Sequence, residues 1–161
     1  MKKFVFTLLL VFVCHLGYAQ SINGLFNEFG SEKNADCVKV SSFMMSLGKM
    51  FAGHDEDAKI IRKIKSIKVL DLESCTASVK ERFNKKVNKL NLKGYDELMR
   101  VNDEGEKVRV LMKTKKETIR ELLFVCTGKE DCTLVQINGK FTKDDIDKLV
   151  NQETGKKHGR R

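Results

Sequence analysis

The sequence feature that most constrains the fold is a succession of four strand candidates separated by short polar connections. The candidates cover residues 95–101, 107–113, 119–127 and 132–138. Connections of four or five residues join antiparallel neighbours, because a parallel crossover needs a dozen residues or more. This half of the chain is therefore predicted to form an antiparallel meander.

Helices and added strands are predicted before the meander in the chain, and one more helix is predicted after it. Helical spacing of apolar residues, with start and stop signals, predicts helices over 22–29, from Ser41 or Ser42 to Gly53, near 58–63, and from Ser74 or Thr76 to Gly94. Phe43 and Met44 are placed on the buried side of the second helix. Strands are added at 37–40 and 64–72, and Thr142 with Asp145 fits a capping box that begins a last helix. The predicted fold class is α+β: an antiparallel β-meander of about four strands plus one or two added strands, covered by helices on one face.

The first 19 residues have the pattern of a secretory signal. Lys2 and Lys3 precede an eleven-residue apolar run, and small residues stand at the two positions that signal peptidase reads. A helix of that length rises about 16 Å, roughly half of a hydrocarbon core. We therefore expect a signal peptide over 1–19, cleavage after Ala19, and export to the periplasm or the medium, with outer-membrane association left open.

The remainder is predicted to be a single α+β domain over 20–150 with a basic, disordered tail over 151–161. The tail contains no apolar residue, and no later apolar run approaches membrane-spanning length. Residues 20–154 carry a net charge of only +3. Export, mild charge and few aromatic residues together argue against a nucleic-acid partner.

Export would leave four cysteines in an oxidising compartment, where an even count favours disulfides. Cys126 and Cys132 flank a polar loop of five residues, and a hairpin there would bring them together. Cys37 with Cys75 would be the complementary pair. The alternative is that these thiols are small hydrophobic core residues, and the spacing leaves both interpretations open.

Positive charge is concentrated in residues 59–93, which carry eleven Lys or Arg against three Asp or Glu. Five of these cations flank the apolar stripe of the long helix: Lys80, Arg82, Lys85, Lys86 and Lys89. A basic amphipathic helix can face an anionic lipid, a glycan or an acidic protein, so these residues are the predicted interaction surface for an envelope component. A solvated face that keeps the protein soluble is the favoured alternative.

No motif of nucleophilic, phosphate-binding, dinucleotide-binding or zinc-dependent chemistry is present, so no catalytic residue and no cofactor is predicted. His54, Asp55 and Asp57 are the weak candidates for metal ligation. They lack the spacing of a calcium loop, and a solvated turn is favoured. The predicted function is a non-catalytic exported envelope domain that acts as a binding module. The alternative is a metal-handling protein or small enzyme centred on His54, and the oligomeric state is not indicated.

Four segments carry a resemblance to a known family: 25–29, 38–45, 95–101 and 136–142. With them, the chain resembles, over about residues 22–150, a family of small exported Bacteroidota proteins known as a domain of unknown function, DUF4252. The resemblance implies an envelope location, often as lipoproteins, and no established reaction. The chain departs from that pattern because bulky Phe12 and Val13 precede Cys14, where lipid attachment requires small residues, and because it carries four further cysteines.

Overall fold

The protein is described here by a computed structural model of residues 21–51 and 56–148. Its helices with defined bounds are α1 (Ile22–Phe29), α2 (Ser42–Phe51), α3 (Glu56–Lys63) and α4 (Ala77–Val87). Its strands are β1 (Asp36–Val40), β2 (Ile64–Asp71), β3 (Asp96–Asp103), β4 (Glu106–Lys115), β5 (Thr118–Thr127) and β6 (Thr133–Phe141). Residues 143–148 are also helical. None of the described helices is long and apolar enough to cross a membrane.

The six strands form one antiparallel sheet in the order β1-β2-β6-β5-β4-β3. Strands β3 to β6 are the predicted meander, so the α+β class and its antiparallel core are confirmed. The added strands extend the sheet beyond β6, where β2 pairs with β6 and β1 pairs with β2. Sequence spacing alone does not reveal this non-consecutive pairing.

Helices α1 and α4 pack on one face of the sheet, which we call the first face. Their apolar stripes meet strand residues such as Leu70, Leu123 and Leu134 in the larger core cluster. Phe29 of α1 and Phe83 of α4 make an edge-to-face contact with ring centroids 5.3 Å apart. Both rings are fully buried, so this contact lies at the centre of the helical layer.

The second face also carries helices, which corrects the prediction that helices cover one face. Leu122 and Leu123 are successive residues of β5 and therefore point to opposite faces. Leu123 belongs to the first core, whereas Leu122 packs with Ile60 of α3 and Phe141 in a second cluster. Ile146 of the helix at 143–148 joins that cluster. Strand β5 is thus apolar on both sides and is covered on both sides.

A row of apolar side chains crosses all six strands on the second face. Register places them as directly paired neighbours: Val38, Val69, Val135, Phe124, Val110 and Met99. The ends of the row are the most exposed, with Val38 at 55% and Met99 at 48% of their full accessible surface. Among the described residues, the second face is thus covered only in part.

Local start and stop signals are confirmed at some helix ends and wrong at others. The capping box is confirmed, since Asp145 accepts the Thr142 backbone N–H at 2.7 Å and its own N–H donates to Thr142 Oγ1 at 3.3 Å. The placement of Gly94 as the end of the long helix is wrong: α4 ends at Val87, and Gly94 occupies a positive φ of 84° just before β3. The predicted burial of Phe43 and Met44 is also wrong, because both are largely exposed in the first turn of α2.

Candidate functional site

A polar cavity of about 400 Å³ opens on the first face of the sheet. The start of α1, the segment before β3 and strands β4 to β6 contribute its walls. We call it the Gln136 cavity, after the most buried polar side chain that lines it. Its volume lies within the range of about 300–1,000 Å³ that is usual for small-molecule sites.

The floor of the Gln136 cavity is a hydrogen-bonded set of three side chains. Glu121 Oε1 accepts from Tyr95 Oη at 2.6 Å and from Gln136 Nε2 at 2.7 Å. Gln136 is only 7% exposed, and its Oε1 has no hydrogen-bond partner among the described residues. A buried acceptor without a partner is costly and rare in folded proteins. The hydrogen-bonded set therefore includes one buried acceptor that folding leaves without a partner among the described residues.

Tyr95 is held as a neutral donor in this set. Burial, followed by the hydrogen bond to Glu121 and the negative charge of that carboxylate, raises the pKa of the Tyr95 hydroxyl well above its ordinary value. The ring of Tyr95 also supports Lys113, whose Nζ lies 5.3 Å from the ring centroid. One side chain thus contacts both a carboxylate and a cation of the cavity.

The rim of the cavity carries donors. Asn23 Oδ1 accepts from Lys68 Nζ at 2.8 Å, and Asn91 Oδ1 accepts from the Lys93 backbone N–H at 3.1 Å. Both amides therefore present their nitrogen atoms as donors. The lining also includes the exposed side chains of Lys93 and Lys113. The cavity is consequently polarised, with acceptors at its floor and cations and amide donors at its rim.

Two cations of the predicted basic interaction surface, Arg82 and Lys86, pair with residues outside α4. Arg82 pairs with Glu32 and lies 5.3 Å from the Phe29 ring centroid, and Lys86 Nζ pairs with Glu28 at 2.6 Å. These contacts attach α4 to α1 and to the loop that follows it.

The remaining members of that set differ in environment. Lys85 pairs with Glu81 along its own helix at 2.8 Å, Lys80 is 8% exposed, and Lys89 is exposed. Arg82 and Lys86 thus pair with another element, Lys85 and Lys89 face solvent, and the shared interaction surface remains a prediction.

No disulfide joins Cys37, Cys75, Cys126 or Cys132, the four cysteines of the described residues. Cys126 pairs with Thr133 in register, so alternation directs Cys126 and Cys132 to opposite faces of the sheet. Cys132 lies in the first core, with its Sγ 3.3 Å from Asn84 Oδ1. Cys75 belongs to that core and Cys37 packs against it. Both predicted disulfides remain predictions, and the Cys37–Cys75 pair is the one whose members share a face.

Burial raises the pKa of the Cys75, Cys126 and Cys132 thiols above the ordinary value for cysteine. A raised pKa lowers the fraction of reactive thiolate at neutral pH. At neutral pH these thiols are therefore weaker nucleophiles than an ordinary cysteine.

Most of the weak candidates for metal ligation lie outside the described residues. His54 and Asp55 lie outside the described residues, and of Asp57 only the backbone, in α3, is described. Within the described ranges, no three His, Cys, Asp or Glu residues are grouped so as to hold a metal ion. The predicted signal over 1–19 and tail over 151–161 also lie outside these ranges. The hypothesis centred on His54 remains a prediction.

Sequence reasoning missed the Gln136 cavity, although one signal for it is present. Within β6, Leu134 and Gln136 share a face, and a polar amide stands where the pattern calls for a buried apolar residue. Such a substitution in a strand core marks a position to inspect. Its partner Glu121 lies on β5, and Tyr95, which also donates to Glu121, precedes β3, so only the fold brings the three together.

Comparison with known proteins identifies a family but no specific function. The model of the family described as "Domain of unknown function (DUF4252)" matches residues 29–149. No curated protein and no solved structure matches the chain. The match spans β1 to β6 together with most of the Gln136 cavity, and the chain therefore belongs to the DUF4252 family.

Proposed function

We propose that the protein is an exported, non-catalytic binding module of the cell envelope whose ligand occupies the Gln136 cavity. The observation that carries the proposal is the unpartnered Oε1 of Gln136, an acceptor buried at the floor of a cavity of ligand size. Folding leaves this acceptor unpaired within the described chain. A donor group of a bound ligand would supply the missing hydrogen bond.

The chemistry of the cavity supports binding rather than catalysis. Tyr95 Oη and Gln136 Nε2 both donate to Glu121 Oε1, and the raised pKa of Tyr95 keeps that hydroxyl from acting as a base near neutral pH. A general base needs a pKa near the working pH.

Export is the part of the proposal that rests on the sequence, and it is tested separately. Intact-mass measurement of the protein recovered from periplasm and culture medium is expected to give a chain that begins at Gln20. A chain that retains residues 1–19 in the cytoplasm would refute export without affecting the binding proposal.

Binding is tested with a library of small polar fragments, observed by NMR of the isotopically labelled protein. Fragments that occupy the cavity should shift the side-chain amide resonances of Gln136 and the backbone resonances of Tyr95 and Glu121. The Gln136→Met variant keeps the length of the side chain and should lose the backbone shifts of Tyr95 and Glu121. If no fragment perturbs the cavity, or if wild type and variant respond alike, the cavity is not the binding site.

A further inference from the structure

The Gln136 cavity holds opposite charges that do not neutralise each other. Lys113 and Glu121 are paired neighbours in the register of β4 and β5, a position where side chains commonly form an ion pair. Instead, Lys113 Nζ lies above the ring of Tyr95, while Glu121 accepts from the Tyr95 hydroxyl. Among the described residues, no ion pair joins the two. The cavity therefore has a negative floor and a positive rim.

The floor requires a donor, and a cationic donor fits it best. Glu121 brings a carboxylate to the floor, and Gln136 Oε1 adds an acceptor without a partner. An ammonium group supplies three N–H donors and a charge opposite to that of Glu121. Hydrogen bonds between charged partners are roughly twice as strong as neutral ones, so an ammonium satisfies this floor better than a hydroxyl.

The rim requires an anionic acceptor. Lys93 and Lys113 supply cations, and Asn23 and Asn91 supply amide donors. The start of α1 also borders the cavity, and the positive end of a helix dipole favours an anion there. Ser21 Oγ caps that helix by accepting from the Gly24 N–H at 3.0 Å. A carboxylate would complement these groups.

We propose that the Gln136 cavity binds a zwitterionic ligand, an amino acid or short peptide whose ammonium contacts Glu121 and Gln136 and whose carboxylate contacts Lys93 and Lys113. This inference rests on the proposed function, since it names the ligand of the same cavity. Amino acids and peptides share the chemistry that the cavity recognises. The volume of about 400 Å³ leaves room for more than one residue.

The test is calorimetric titration of the exported protein with four probes that differ by one group. L-alanine and L-alanyl-L-alanine carry both charges, N-acetyl-alanyl-alanine lacks the ammonium, and alanyl-alanine amide lacks the carboxylate. At least one zwitterion should bind, and each capped dipeptide should bind about ten-fold or more weakly than the free dipeptide. The tighter of the two zwitterions identifies the amino acid or the peptide as the preferred source.

Variants assign each charge to its residue. Glu121→Gln should weaken binding of the zwitterion about ten-fold and reduce the preference for a free ammonium. Lys113→Ala should reduce the preference for a free carboxylate. Lys115→Ala is the matched control, because Lys115 is an exposed lysine of the same strand that does not line the cavity. Circular dichroism of each variant checks that the fold is intact.

Equal binding of free and capped dipeptides would overturn the proposal of a zwitterionic ligand. So would the absence of binding by all four probes when the fragment library still perturbs Gln136 and Tyr95, a result that would leave the proposed function in place. Failure of the probes and of the library together would remove both proposals. If Glu121→Gln unfolds the protein, the capped probes still decide the question on the wild type.

Discussion

Lys113 and Glu121 face each other across β4 and β5, yet the ring of Tyr95 holds the lysine while the hydroxyl of Tyr95 binds the carboxylate. Two cross-strand neighbours of opposite charge would ordinarily pair directly. The Tyr95 side chain instead keeps them as separate binding groups. This relationship gives the Gln136 cavity its polarity, and it makes Tyr95 the residue whose loss should most alter the site.

We expect Tyr95 to ionise only under strongly alkaline conditions and to make the stability of the protein fall as the pH rises. The folded state raises the pKa of this hydroxyl, so the folded protein holds the proton more tightly than the unfolded chain does. The associated stability is present below the ordinary tyrosine pKa of about 10 and is lost as the pH rises beyond it. Phenolate absorbance and chemical denaturation measured against pH test this expectation.

Tyr95→Phe is the variant that isolates the effect, because the chain has only one other tyrosine, Tyr18. The variant should be less stable by about 1–2 kcal/mol at neutral pH, since a hydrogen bond to a charged group is lost. It should also lose the alkaline decline in stability that Tyr95 causes. An unchanged alkaline profile would show that Tyr95 is not the titrating group.

Asp145 is expected to stabilise the end of the described fold through two interactions at once. It closes the capping box with Thr142 and receives Lys63 Nζ of α3 at 2.6 Å on each carboxylate oxygen. Burial would raise the pKa of this carboxyl, but the hydrogen bonds from Lys63 and Thr142 outweigh it and lower the pKa. The stability from Asp145 is therefore present above the ordinary pKa of 3.8 and is lost as the pH falls through the lower folded value.

Asp145→Asn should lower the free energy of unfolding by about 2 kcal/mol at neutral pH, because it removes a partly buried ion pair and weakens a cap. Asp144→Asn is the control, an exposed carboxylate one residue away. Urea unfolding at neutral and acidic pH should show the difference between wild type and Asp145→Asn shrinking as the pH falls. A constant difference across that range would contradict the assignment.

The parts of the fold that sequence reasoning recovered depend on local signals. The meander follows from short connections, and the cap at Thr142 follows from residues three apart. The pairing of β2 with β6 and the cover on the second face depend on contacts between distant segments. Leu122 and Leu123 make β5 apolar on both of its sides, and this is the local sign in the sequence that both faces of that strand are buried.

The candidate site was harder to predict from the sequence for the same reason. Tyr95, Glu121 and Gln136 meet only when β5 and β6 pair and the segment before β3 returns across them. The basic residues of α4 could be located by their charge, but their partners Glu28 and Glu32 lie about 50 residues earlier. Net charge over a segment therefore does not show which of its cations pair within the fold.

The pairing of Glu28 with Lys86 leads to a prediction about the attachment of α4 to α1. Glu28→Gln should destabilise the protein by about 1 kcal/mol, because Glu28 is two-thirds buried and pairs with Lys86. The loss should shrink in high salt, which screens the pair. Glu81→Gln, which removes only the exposed pair with Lys85 along one helix, is the control and should have no measurable effect. Equal effects of the two variants in urea unfolding would argue against the interhelical role.

The cysteines give the last prediction, which separates the two proposed disulfides. Cys37 and Cys75 both border the first core, whereas Cys126 and Cys132 point to opposite faces of the sheet. A disulfide requires the two Cβ atoms to approach to about 4 Å, so a Cys126–Cys132 bond would require one side chain to turn around the end of its strand. Peptide mapping without reductant, on protein recovered after export, should therefore show the Cys37–Cys75 link forming more completely. Complete Cys126–Cys132 linkage with free Cys37 and Cys75 would contradict this order, and a protein from reducing cytoplasm is the control for oxidation during handling.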